Sequence, residues 1–221
     1  MTEVVGAVLV GGASSRMGTD KALLPLDGTA MAHRVAAALV AGGAGAIELI
    51  GRDPALGRAL DLHDLVDGWG TRDDRWKGIG PLGGLATAVL EARPAHGSAD
   101  PARAGDDVIV VVAACDQPNL TGPLVRRLVD ALLAAPSTIG AAAAITADGR
   151  RHPLPSAWRA SAGPALVALI DGGARRADAG FGAVGVIDVA ADDEVLIDLD
   201  TPDDVHRWLD GRRPPAERAP E

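Results

Sequence analysis

The chain has 221 residues, 48% hydrophobic and 23% charged, values that suit a folded domain and exclude a disordered, collagen-like or disulfide-stapled protein. Its 21 basic and 30 acidic residues leave a net charge of −9, and with one Phe, four Trp and no Tyr it lacks the basic stripe and stacking surfaces of a nucleic-acid binder. The longest unbroken apolar run, Val108 to Cys115, falls well short of the ~18–20 residues that span a bilayer, and one cysteine without a basic leader reads as cytoplasmic.

Val4 to Val10 is continuously apolar and ends in Gly11-Gly12, the pattern of a strand buried on both faces. Thr29 to Val40 carries Met31, Val35, Ala38 and Leu39 on one helical stripe. Ala46 to Ile50 reads as a second strand, with Asp53-Pro54 opening a helix after it, and Leu62 to Val66 as a short third strand. A glycine-rich loop then reaches Gly80, and Leu82 to Glu91 is helical. Arg93 to Asp106, rich in Pro, Ala, Gly and Asp, is too long for an ordinary connection and reads as an insertion or mobile loop.

Val108 to Ala114, β-branched and uninterrupted, is the central strand. Thr121-Gly122-Pro123 opens a helix to Ala134, with Thr121 as cap and Pro123 in the first turn. Ile139 to Ile145, Pro153 to Trp158 and Ala183 to Val189 read as strands, and Ser161 to Ile170 and Pro202 to Leu209 as helices. This alternation predicts an α/β protein: a single three-layer Rossmann-like domain with a mostly parallel, doubly wound sheet. The domain is expected over 1–210, with the charged, Pro-rich residues 211–221 as a disordered tail. Ligands of such sheets bind beyond the carboxyl ends of the strands, so motifs placed there carry the functional information.

The first such motif is Leu9-Val10-Gly11-Gly12-Ala13-Ser14-Ser15-Arg16-Met17-Gly18-Thr19-Asp20-Lys21. Glycines let the backbone approach phosphates, and Arg16 and Lys21 supply charge. Gly18 is followed by Thr19-Asp20 rather than Lys-Ser/Thr, which excludes a P-loop; Pro25 and Asp27-Gly28 intervene before any helix, which excludes a dinucleotide fingerprint. A plain glycine-rich surface loop is the bland alternative.

The run G-G-x-S-x-R-M-G-x-D-K-x-L-L-P resembles the signature loop of the MobA-like nucleotidyltransferases, best known as molybdenum cofactor guanylyltransferases. The resemblance implies transfer of a nucleoside monophosphate from an NTP with Mg²⁺ and release of pyrophosphate. It also implies that Leu9, Val10, Gly11 and Gly12 lie along the nucleotide, and that Arg16 and Lys21 hold the triphosphate as catalytic groups. GTP and a molybdopterin-type phosphorylated acceptor are the implied substrates, with contact to molybdoenzyme maturation proteins.

Cys115-Asp116-Gln117-Pro118 stands at the end of the central strand, where a carboxylate can hold Mg²⁺ against phosphate oxygens. The similar family motif C-D-x-P assigns Asp116 to magnesium and to catalysis, while Cys115 reads as a small buried hydrophobe. Asp67 is read as ending the third strand, about thirteen residues before Gly80-Pro81-Leu82-Gly83-Gly84-Leu85. The family pairs a similar aspartate with a G-P-L-x-G-L helix start, which implies a nucleotide contact for Asp67; a turn-capping role is the alternative. Trp69 and Trp76 between them read as loop packing rather than a pterin-stacking surface.

In Asp198-Leu199-Asp200-Thr201-Pro202, either Thr201 or Asp200 can cap the last helix, and Asp200 can instead reach the metal. This stretch resembles the cytidylyl branch of the family, whereas Val10-Gly11-Gly12 and the G-P-L element resemble the guanylyl branch. His152, with Arg150 and Arg151 around it, and Arg175-Arg176 resemble acceptor-facing stretches, against the alternative of solvated basic loops. Guanylyl transfer to molybdopterin is therefore the leading expectation. Cytidylyl or other nucleotidyl transfer to a different phosphorylated acceptor, or a non-catalytic nucleotide-binding role, are the alternatives.

Overall fold

A computed structural model of the chain describes residues 2–11, 21–51, 59–92 and 108–212. The expected helix start at Asp53-Pro54, the insertion at 93–106, the loop residues Gly12 and Arg16, and the tail beyond 212 lie outside the described residues.

Strand β1 (Glu3–Leu9) leads through the 3₁₀ turn Lys21–Leu23 into a small hairpin, β2 (Pro25–Leu26) and β3 (Thr29–Ala30). Helix α1 (Met31–Ala41), β4 (Ala46–Gly51), β5 (Trp69–Asp73), α2 (Pro81–Leu90) and β6 (Val108–Ala114) follow. The second half adds α3 (Gly122–Ala134), β7 (Ala141–Ile145), β8 (Arg151–Arg159) and α4 (Gly163–Asp171). It closes with α5 (Ala179–Val184), β9 (Val186–Ala190) and α6 (Pro202–Arg212). Seven strands form one sheet in the order β5-β4-β1-β6-β8-β7-β9. Only β8 runs against its neighbours, through its antiparallel pairings to β6 and β7.

The apolar runs are continuous because both faces of the sheet are covered. Along β6, Ile109, Val111 and Ala113 enter one core with α1 and α3, while Val108, Val110 and Val112 enter the other with α2, α4 and α5. The result is the three-layer architecture expected. None of the helices among the described residues is long and apolar enough to cross a membrane.

Several boundaries differ from expectation, the main ones for local reasons. Leu62 to Val66 is a turn, closed by Leu65 and Val66 N–H groups donating to the Leu62 carbonyl, and the strand is β5. β5 reads W-G-T-R-D because it is an edge strand, partly solvated, without the apolar run that marks a central one. Thr29-Ala30 belongs to the β2–β3 hairpin, so α1 begins at Met31. The expected strand over Ala183 to Val189 starts late because α5 occupies its first residues, and Gly185, at φ +71, breaks helix from strand. α6 extends to Arg212, beyond the Leu209 end expected for that helix.

The chain leaves β1 for β4 and β5, then crosses back to pair β6 on the other side of β1. The switch point of the sheet therefore lies between β1 and β6, and their carboxyl ends flank a crevice. Cys115 N–H donates to the Leu9 carbonyl at 3.1 Å, which carries the pairing to the rim of that crevice.

Candidate active site

A cavity of about 560 Å³ opens at this rim. Its wall includes Leu9, Val10 and Gly11 after β1, Lys21 in the 3₁₀ turn, Cys115-Asp116 after β6, and Asp200 before α6. Lys21 stands between two carboxylates, with Nζ 2.8 Å from Asp200 Oδ1 and 3.3 Å from Asp116 Oδ2. The two carboxylates thus converge on one cation from segments remote in sequence. Burial opposes the charge of Lys21, but its bonds to Asp200 and Asp116 outweigh that, and its pKa lies above the usual lysine value.

Each of these groups is held by local chemistry. The last helix is capped by Thr201, whose hydroxyl lies 2.7 Å from Asp204 Oδ2 and accepts the Asp204 N–H, while Asp204 Oδ2 accepts the Thr201 N–H. That reciprocal cap satisfies the helix start and leaves the Asp200 side chain turned to Lys21. Leu199 N–H donates to the Asp116 carbonyl at 2.9 Å, tying the two acidic segments together. Gln117 donates through Nε2 to the Leu154 carbonyl and so anchors the loop after β6 to β8. Asp198 is the third carboxylate nearby. Protein around it and the neighbouring Asp116 charge push it up to about 6.

The other end of the cavity is lined by Asp74, Lys77, Gly78, Gly80 and Pro81, between β5 and α2. Gly78 and Gly80, at φ +83 and +94, let this loop fold back over the crevice. Asp74 Oδ1 accepts the Trp76 N–H at 2.9 Å and lies 3.2 Å from the Thr87 hydroxyl, which in turn accepts the Arg75 N–H at 3.0 Å. Lys77 pairs with Asp73 at 2.9 Å.

Six of the residues singled out from sequence meet here: Leu9, Val10, Gly11, Lys21, Asp116 and Asp200. Asp67 does not. It is exposed and precedes the amino end of β5, at the rim of the sheet opposite the cavity, and Asp74 follows the carboxyl end instead. The error came from reading Leu62 to Val66 as the strand; the Asp73-Asp74 pair, six residues before Gly80-Pro81-Leu82, was the available signal. Lys77, which lines the cavity, was also missed.

His152 sits on β8 and does not line the cavity; its Nε2 is enclosed without a hydrogen-bond partner, and burial followed by the charge of Arg150 lowers its pKa. Arg176 is paired with Asp178 at 2.7 Å, and the Arg175 carbonyl packs beside Gly80 at the cavity edge. Trp69, expected in a loop, instead opens β5 and stacks edge-on against His63, while Trp76 packs in the loop on the α2 face of the sheet.

Residues 6–183 match the family model of the MobA-like NTP transferase domain. The chain belongs to that family. A MobA-like chain is a nucleotidyltransferase, and similar proteins carry that name in finer form. One, a molybdenum cofactor guanylyltransferase of Rhodobacter capsulatus, is 30% identical and covers 95% of this chain and 97% of its own. Another of the same name, from Cupriavidus metallidurans, is 29% identical over 92% of this chain and 93% of its own. Among solved structures, Rv0371c of Mycobacterium tuberculosis superposes with a TM-score of 0.67 at 25% identity, covering 94% of this chain and 97% of that one. The family match ends at 183, so the Asp198–Asp200 segment and α6 of this MobA-like protein lie beyond it.

Proposed function

We propose that the protein moves GMP from GTP onto the terminal phosphate of molybdopterin, releasing pyrophosphate. The observation that carries the reading is the convergence of Lys21, Asp116 and Asp200 at one end of the cavity, with the Asp74 loop at the other. The names of the relatives that span nearly the whole chain support the acceptor and the base.

The attacking phosphate oxygen is already ionised at neutral pH, so no general base is required. The obstacle is repulsion between two anions, which positioning and cations remove. Lys21 supplies positive charge at the phosphate end, and Arg16, in the signature loop, is the second cation of the reading. Among the described residues no three His, Cys, Asp or Glu side chains gather to cage a metal. Mg²⁺ needs only one or two carboxylates, with phosphates and water completing its shell, so Asp116 and Asp200 fit it. The ion would screen the phosphate charge and polarise the phosphoryl oxygen. Asp116 and Asp200 would hold it, and Lys21 would share the same anionic cluster.

At the far end, a carboxylate fixed as Asp74 is suits the paired N–H donors on the Watson–Crick edge of guanine. The Asp198-Leu199-Asp200 stretch favours a second reading, cytidylyl transfer. A pyrophosphate-release assay crossing the four NTPs with molybdopterin and other phosphorylated acceptors separates them. GTP with molybdopterin should be the productive pair, and Asp116→Ala should slow it by ~10²-fold or more. A preference for CTP replaces guanine by cytosine; release with no pair leaves a nucleotide-binding protein only.

A further inference from the structure

Lys21, Asp116 and Asp200 belong to three separate stretches of chain, so their spacing depends on contacts among those stretches. Lys21 is linked to its hairpin by backbone bonds, Leu24 N–H to the Lys21 carbonyl and Met31 N–H to the Leu24 carbonyl. Behind that hairpin lies a small core separate from the two main ones, built of Leu26, Met31, Leu199, Val205 and Trp208. Its members come from the chain just after Lys21 and from the chain flanking Asp200. The third stretch joins this core twice: Leu199 N–H donates to the Asp116 carbonyl at 2.9 Å, and Trp208 Nε1–H donates to Asn119 Oδ1 at 2.8 Å, three residues after Asp116. Trp208 is 8% exposed and Arg34 of α1 lies over its ring at 5.4 Å. Asn119 is itself anchored, donating through Nδ2 to the Glu194 carbonyl at 2.8 Å.

We infer that Trp208 is a positioning residue for nucleotidyl transfer: its ring fixes α6 on the hairpin that carries Lys21, and its indole N–H fixes α6 to the loop that carries Asp116. With the Leu199–Asp116 backbone bond, these contacts hold Lys21, Asp116 and Asp200 at the distances seen in the cavity. The inference rests on the transfer reading above, and it concerns turnover rather than nucleotide capture, because Asp74 and the loop before α2 are outside this contact set.

Trp208→Phe keeps the ring and removes the donor. At saturating GTP and metal its kcat should fall about tenfold, with the KM for GTP held within about twofold, since small misplacements at a reacting centre cost rate before affinity. Asn119→Ala should fall equally, and the double variant should be no slower than the worse single one. Asn119→Asp retains an acceptor for the indole but has no donor for the Glu194 carbonyl, so it should keep a kcat near wild type. Leu132→Ala, buried in the main core on α3, serves as the stability control and should lower the melting temperature without lowering kcat. The inference is overturned if folded Trp208→Phe turns over normally, if Leu132→Ala is equally slow, or if Asn119→Asp is as slow as Asn119→Ala. Should Trp208→Phe not fold, the two Asn119 variants decide alone. A wild-type protein inert with every NTP instead removes the transfer reading.

Discussion

Two carboxylates and one ammonium meet at one end of the cavity, and the neighbouring Asp198 shows the consequence. Enclosure and the charge of Asp116 raise it to about 6. An acid held above its unfolded value of about 3.9 keeps a proton that the unfolded chain has released. The folded state therefore binds more protons between about pH 4 and 6, and stability falls as pH rises through that window and levels beyond it. Asp198→Asn removes the titration. In chelator-treated buffer, the melting temperature of Asp198→Asn relative to wild type should climb from pH 4 to pH 7 and then stay level. A difference that is flat across that range would show that Asp198 ionises normally. The same crowding accounts for Lys21, whose bonds to Asp200 and Asp116 hold its proton against the effect of burial.

At the scale of elements, two adjacent glycines of α2 do different work at the Asp74 end of the cavity. A Cβ on Gly83 would sit 2.8 Å from the Trp76 carbonyl and 3.4 Å from Asp74 Oδ1, while one on Gly84 would meet only the flexible end of Leu9 at 3.2–3.4 Å. Gly83→Ala must therefore push the backbone that presents Asp74. It should destabilise by about 1–3 kcal/mol, the usual range for overpacking, and raise the KM for GTP several-fold. Gly84→Ala should do neither beyond small changes; denaturant melts and steady-state kinetics on both variants check this, and equal KM values would detach Asp74 from nucleotide binding.

Strands β6 and β5 differ in what the sequence could convey. β6 was legible to the residue because burial on both faces demands an unbroken apolar run, and Asp116 was found with it. β5 was illegible because an edge strand carries no such demand, and with it went Asp74. Asp200 was legible only as a choice between cap and ligand, since the T-x-x-D cap that releases it is a matter of side-chain geometry. Trp208 could not be read at all, because its partner lies 89 residues away.

The whole molecule is acidic, so a polyphosphate is received against the mean field and must be held by local groups. The sheet sets how far apart those groups stand. Asp74 follows β5 and Asp116 follows β6, and β5, β4, β1 and β6 are consecutive strands. Three intervals of ~4.8 Å place the two carboxyl ends ~14 Å apart, so the cavity is a slot with an Asp74 end and an Asp116 end, which the proposed function gives to base and phosphates. The Asp74 carboxylate is held by Trp76 and Thr87, whereas Lys21 and Asp200 are joined to each other at 2.8 Å. Double-variant cycles on kcat/KM for GTP should therefore divide by geometry. Asp74→Asn with Asp200→Asn should add within ~0.5 kcal/mol, as independent sites do. Lys21→Met with Asp200→Asn should fall clearly short of the sum, because either change already breaks the pair. Strong coupling between Asp74 and Asp200 would mean that the two ends move as one, and that the sheet does not hold them as separate, rigidly spaced poles.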